Sequence, residues 1–182
     1  LRAVLDPTYG PVKNRGFEAF QQSRKKAATF EQLYVTRIRE DDYLLVDGYN
    51  IIFSWDELRD IAARDVNAAR EALVNVLSNY QGVRRCHLIL VFDAYKVKGG
   101  TGSIEQRGGI HIVYTKEAET ADMYIEQASY DLSRKHRVRV ATSDGMEQMI
   151  ILGHGAERIS ATELYWEVEQ ANEHIEAILK KL

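Results

Sequence analysis

The sequence predicts an α/β fold built on a mainly parallel sheet, and three patterns predict it. Four short runs, 43–46, 88–92, 110–114 and 138–141, are almost continuously apolar. Strands covered on both faces read this way, whereas a strand with one wet face alternates. Stretches of helical period separate most of these runs, as in a doubly wound sheet. Three of the four runs end on an aspartate (Asp47, Asp93 and Asp144), which puts acids on the rim where such sheets bind ligands.

The elements follow in order. Residues 1–40 hold both prolines, Pro7 and Pro11, and show no long apolar periodicity. They read as a basic linker or partner-ordered segment, with one short helix near 17–28. The domain proper is expected over 41–182. After the first strand, residues 65–80 place Val66, Ala69, Leu73, Val76 and Leu77 on one helical face. The gap between the second and third runs is glycine-rich (Gly99, Gly100, Gly102, Gly108, Gly109) and too short for a good helix. It reads as a loop or a hairpin, and in use either as a flap over substrate or as a plain connector. Residues 120–136 carry Ala121, Tyr124, Ile125, Ala128 and Leu132, again a helix. A short helix is expected over 145–152. A final amphipathic helix is expected over 161–182, with Ser160 or Thr162 as its N-cap.

Composition bounds the function. The chain has 182 residues, 45% hydrophobic and 28% charged, enough for a core without disulfides or a structural metal. The single cysteine, Cys86, precedes the apolar run 87–92; it reads as a buried, inert thiol and fits a reducing, cytoplasmic setting. No apolar run approaches the ~18 residues of a membrane span, and no signal-peptide pattern opens the chain. The first residue is Leu rather than Met, which reads as a piece of something longer. A net charge of −3 argues against a protein that coats nucleic acid by bulk electrostatics. The charge is uneven, however. Residues 11–39 hold seven Lys/Arg against two Glu, and 81–116 hold six against Asp93 and Glu105, while the tail is acidic.

The acids carry the chemistry. Asp47, Asp93 and Asp144 end strands, and Glu117, Glu119 and Asp122 open the helix after the remaining run. A lone aspartate after a strand is ordinarily a cap or turn residue. Several at one rim must take up protons, spread apart or hold a cation, because two carboxylates 4 Å apart repel by roughly 4 kcal/mol at an effective dielectric of 20. Oxygen-only ligands suit Mg²⁺ or Mn²⁺. Spaced i, i+3, Glu119 and Asp122 are expected on one helix face, aimed at the same ion. Metal-assisted phosphodiester hydrolysis is the natural reaction for such a rim. There is no phosphate-loop motif, no dinucleotide fingerprint, no second aspartate beside Asp47 for a phosphoaspartate hydrolase, and no Cys/His spacing for zinc. His111 reads as a core or edge residue, and His154 as turn chemistry. Lys96, Lys98, Arg107 and Lys116 flank the acids in sequence and suit an RNA backbone. Tyr49, Phe53, Trp55 and Tyr95 are placed to stack on unpaired bases, with core packing the other use of such rings. Core packing is the expectation for Phe53.

The segment 44–52, with Asp47-Gly48-Tyr49-Asn50 at its centre, resembles the opening motif of YacP-like NYN domains, in the PIN-like nuclease superfamily. The segments 91–95, 115–122 and 141–144 resemble its other motifs, in the family's order. The resemblance covers roughly 42–180. It implies a PIN-like three-layer α/β sandwich and a Mg²⁺- or Mn²⁺-dependent endoribonuclease with relatives acting at the ribosome. It makes Asp47, Asp122 and Asp144 the metal carboxylates, with Glu119 and Asp93 in support, and Asn50 a group that orients a ligand or phosphate. Thr142-Ser143-Asp144 departs from the Asp-Ser-Asp of many PIN-like proteins and removes one possible carboxylate. Residues 8–13 also resemble the tail of ribosomal-protection GTPases of the tetracycline-resistance type, which implies a C-terminal appendage of such a protein.

The expected function is therefore metal-dependent hydrolysis of single-stranded RNA or mRNA, with the ribosome as partner. The alternative is a non-catalytic RNA- or ribosome-binding module tethered to a translational GTPase. A third reading, an oligomerising adaptor, would use the stripe Leu164, Val168, Ile175 and Leu179, for which packing on the chain's own sheet is the simpler use.

Overall fold

The computed structural model describes residues 42–94, 100–145 and 155–182. The expected segment 1–40 and the expected helix over 146–152 lie outside them. The strands are β1 (Tyr43–Asp47), β2 (His87–Phe92), β3 (Ser103–Arg107), β4 (Ile110–Tyr114), β5 (Val138–Ala141) and β6 (Glu157–Ile159). They form one sheet in the order β3-β4-β2-β1-β5-β6. Every pairing is parallel except β3 with β4. The helices are α1 (Gly48–Ser54), α2 (Asp56–Ala62), α3 (Val66–Arg84), α4 (Ala121–Ser133) and α5 (Ala161–Leu179).

The strands are buried on both faces because helices cover both, giving the expected three layers. Leu44, Val46, Leu88, Leu90, Phe92, Ile110 and Ile112 point to one face, against α1, α2, α3 and α5. The alternate residues Leu45, Val91, Val113, Val138 and Val140 point to the other, against Ala121 and Ile125 of α4. This period of two later decides which rim residues meet. Cys86 is buried, and burial pushes its thiol up to about 11, so it is inert as expected. His111 pairs with Ile89 and Gln106 within the sheet.

Four elements go beyond the sequence reading. Helix α1 starts at the residue after β1 and spans seven residues, too few to show a period. Helix α2 follows it directly, with Asp56 and Glu57 in its first turn, where acids favour a helix. The glycine-rich gap is the hairpin β3–β4, so 103–107 is an edge strand rather than a flap. Its turn residues Gly108 and Gly109 have φ of +53° and +80°, the left-handed pair that a two-residue hairpin turn requires. A Cβ at these positions would strike Ser78 and Gln81 of α3 at 2.5 Å, so the hairpin tip rests on that helix. Strand β3 is exposed throughout, with Ile104 its one apolar residue, hence invisible to an apolar pattern. Strand β6 is three residues long.

The final helix ends at Leu179, capped by Ser160 in a capping box with Glu163. Leu164 and Val168 pack on the chain's own core, and Leu179 is exposed. Glu167 on the same face is buried, accepting from the Tyr80 hydroxyl at 2.5 Å and from both terminal nitrogens of Arg139. Trp55 is core as well: its indole N–H donates to the Ala161 carbonyl at 2.8 Å, so it is not a stacking ring for a base. No helix among the described residues is long and apolar enough to cross a membrane.

Candidate active site

Strand β1 lies between β2 and β5, so the chain winds outward from β1 first one way and then the other. The carboxyl ends of β1 and β5 mark the point where it reverses, and crevices form there. Asp47 ends β1 and Asp144 follows β5. Asp122 sits in the first turn of α4, the helix that makes the crossing to β5. Asp93 follows β2, beside β1.

The pleat brings them together. Tyr43 and Leu45 face α4, so Asp47 does too; Ile89 and Val91 face α4, so Asp93 continues that side. Asp47 is 8% exposed. Its carboxylate caps α1, accepting from the Asn50 backbone N–H at 3.1 Å. Burial pushes its pKa up to about 6, against that capping bond, and the charges of Asp122, Asp144 and Asp93 push the same way. Burial, Asp144 and Asp93 also raise Asp122, with Asp47 acting the other way, so the two carboxyls are coupled in their titration. Among the described residues, no lysine or arginine is among the charges that act on either group. Among the described residues, no three His, Cys, Asp or Glu side chains yet stand close enough together to hold a metal ion. The arrangement is thus four acids at one rim whose charges act on one another.

Gly48 makes the tight turn from β1 into α1 possible. A Cβ there would lie 2.3 Å from the Phe92 ring, with no room for it to shift into. Asn50 ties the two sides of the crevice: its Oδ1 accepts from the Ser143 N–H at 2.7 Å, across 93 residues of chain. That bond fixes the amide's orientation and leaves its NH₂ for a ligand. The loop after β5 is itself built from side chains. The Thr142 hydroxyl accepts from Asp144 N–H, and the Ser143 hydroxyl accepts from Ala161 N–H at the start of α5. Thr142 therefore does a structural job where an aspartate stands in many PIN-like proteins. On the next strand Thr115 is buried, accepting from Ala94 N–H at 3.2 Å.

Other expected residues fall elsewhere. Glu119 is not on a helix face with Asp122. Thr120 caps α4 through Met123 N–H, so the helix starts at Ala121 and Glu119 stands before it. The charge of Glu119 acts on Tyr124, and it is not among those raising Asp47 or Asp122. Arg107 lies opposite Ile110, at the end of β4 away from the rim, in a bidentate pair with Glu71 at 2.9 Å. Lys116, two residues past β4, is at the rim and exposed. Tyr49 is half-buried, its ring 5.2 Å from Phe92 and 6.4 Å from Phe53. Phe53, expected in the core, is 54% exposed: Ile51 and Ile52 take the buried side of α1, and the next residue turns outward. Tyr95, Lys96 and Lys98 lie outside the described residues. Arg70, which no local pattern marks, packs among the rim aromatics.

The family model for the YacP-like NYN domain matches residues 44–182. YacP of Bacillus subtilis (strain 168) is 41% identical over 145 residues, 78% of this chain and 83% of its own. The crystal structure of Rae1 (YacP) from Bacillus subtilis is similar at a TM-score of 0.66 and 40% identity, covering 77% of this chain and 80% of that one. The crystal structure of a mutant of the same protein gives 0.68 and 39%, covering 77% and 82%.

Proposed function

The chain belongs to the YacP-like NYN domain family, of PIN-like nuclease fold, and on that premise we propose that it is a divalent-metal-dependent endoribonuclease. The observation that carries the reading is the placing of Asp47, Asp93, Asp122 and Asp144 at the switch point, where the charges of the other three all act to raise Asp47. Such a cluster suits a hard cation: its donors are all oxygen and its members repel one another. Asp47, Asp122 and Asp144 would hold Mg²⁺ or Mn²⁺, with Asp93 in support. When bound, the cation supplies the positive charge that phosphodiester hydrolysis needs.

The chain's own residues do the rest. Asp47, whose pKa is raised to about 6, would give up its proton on loading. The Asn50 amide, locked by Ser143 N–H, offers its NH₂ to a phosphate oxygen. Lys116 draws the RNA backbone to a rim that would otherwise repel it. The resemblance of residues 8–13 to the tails of ribosomal-protection GTPases supports translation as the setting: ribosome-bound mRNA as substrate, fusion to a translational GTPase, and the cytoplasm as the place.

The test is Mn²⁺ calorimetry on wild type and Asp122→Asn, followed by incubation with single-stranded RNA and with programmed ribosomes. Binding that is lost in the variant, with cleavage at least about a hundredfold slower, is expected. Full cleavage by Asp122→Asn sinks the assignment of the rim. RNA binding that is indifferent to the metal and to Asp122→Asn, with no cleavage, establishes the non-catalytic binding module instead.

A further inference from the structure

Four arginines, Arg59, Arg107, Arg137 and Arg139, are each ion-paired to a carboxylate. Arg70 on α3 is among the described arginines that are not. Among the described residues it has no carboxylate within ion-pairing distance; its hydrogen-bond partners are the Asn67 side chain and the Tyr49 hydroxyl, both neutral. Glu71 feels its charge but is bonded to Arg107. The guanidinium lies over the rings of Phe92 and Tyr114, 5.9 and 5.8 Å from their centroids. Those two rings stack on each other, and they are the last residues of β2 and β4. A ring face holds a cation without neutralising it. Arg70 is thus a full positive charge, half-buried and fixed in place, with guanidinium donors to spare.

Its position follows from the pleat. Phe92 and Tyr114 face α3, while Asp93 and Thr115, one residue on, continue the opposite side. Arg70 and the acids therefore lie on the two flanks of the same rim, joined by Tyr49, two residues after Asp47. Beside Tyr49 stands Phe53, stacked at 24° between ring planes and 54% exposed. An exposed ring linked through Tyr49 to a fixed cation offers what one unpaired nucleotide requires: a face for its base and a guanidinium for its phosphate. A base-paired nucleotide cannot offer that face.

We infer that Arg70 and Phe53 form a nucleotide-binding subsite, in which Phe53 stacks one unpaired base of the RNA and Arg70 holds the adjoining phosphate. The inference rests on the ribonuclease reading and sharpens it: the substrate is single-stranded across the rim.

The experiment uses the full chain with Asp122→Asn as background, so that RNA survives, and reads fluorescence anisotropy of a labelled single-stranded RNA against salt. Phe53→Ala weakens binding about tenfold, and Phe53→Trp restores it. Arg70→Gln also weakens binding and lowers the slope of log K against log salt by about 0.7, the signature of one lost phosphate contact on a single strand. Arg70→Lys keeps the slope. A role for Arg70 in packing alone would not move the slope, and thermal melts show whether each variant is folded. Phe53 is exposed enough for its alanine variant to fold. Unchanged affinity in folded Phe53→Ala, or an unchanged slope in folded Arg70→Gln, overturns the subsite while cleavage by the wild type leaves the nuclease reading standing. Failure of the wild type to bind or cut any RNA overturns both.

Discussion

Asp47 and Glu167 are buried alike, each 8% exposed, and their surroundings are opposite. Glu167 faces a guanidinium and a phenol: Arg139 donates twice and Tyr80 once. Asp47 faces three further acids and one backbone N–H. A buried charge is tolerable when paired and hydrogen-bonded, and costly when crowded by its like. Glu167 belongs to the scaffold: it pins α5 to α3 and β5. Asp47 is crowded by like charge, which a proton or a cation relieves, and proteins keep such crowding where a ligand resolves it.

The largest stability effect follows from breaking the satisfied side. Glu167→Gln removes the counter-charge of Arg139, itself 6% exposed. Loss of one partner of a buried pair costs about 3–5 kcal/mol, on the order of 10 °C in a chain of this size. The double replacement Arg139→Met with Glu167→Leu, which removes both charges together, is expected to recover most of that. Thermal melts of the two variants check it. A melting point unchanged in Glu167→Gln means that the network is not a staple.

The opposite sign is expected on the other side of the comparison. Asp47 has its pKa raised from 3.8 to about 6, so the native state holds that proton more tightly than the unfolded chain does. The benefit is complete below pH 3.8 and is lost as pH rises through about 6. Above that pH the ionised cluster costs about 2–3 kcal/mol. Asp47→Asn keeps the cap, since the amide oxygen still accepts from Asn50 N–H. It should therefore stabilise the metal-free protein at pH 7.5, with no gain near pH 3.5. Added Mn²⁺ should raise the wild-type melting point and leave the variant's alone. Equal melting curves across pH would show that the acids do not strain the fold.

What could be read in the sequence, and what could not, divides along the same physical line. The strands were legible because burial on both faces writes continuous apolar runs, and Asp47, Asp93 and Asp144 because each follows one. Glu119 misled because a helix start is set by its cap: Thr120 holds Met123 N–H, which moves the first helical residue one place beyond the spacing argument. Strand β3 was hidden because an edge strand needs no apolar side chains, only a partner and a Gly108-Gly109 turn. The Tyr80–Glu167 and Arg139–Glu167 bonds span 87 and 28 residues, and that from Arg70 to Tyr49 spans 21. No local pattern encodes such distances; they exist only once the sheet is assembled.

The smallest expected effect separates proximity in sequence from proximity in space. Arg107 lies among the glycines between two rim motifs, and from the sequence it belongs with the RNA-binding cations. In the fold it opposes Ile110 rather than Tyr114, four residues along β4 from the rim and on the order of 13 Å away at 3.3 Å per strand residue. Its exposed pair with Glu71, although bidentate, stands in water, where such pairs contribute little. Arg107→Ala is therefore expected to leave both the melting point and the affinity for single-stranded RNA unchanged within error, and to leave the salt slope intact. Arg70→Gln, from a residue on the other flank of the hairpin's own helix support, lowers that slope. If Arg107→Ala instead weakened RNA binding as much as Arg70→Gln, the RNA would have to run along the hairpin rather than across the strand ends, and the site would extend down β4 toward the opposite edge of the sheet.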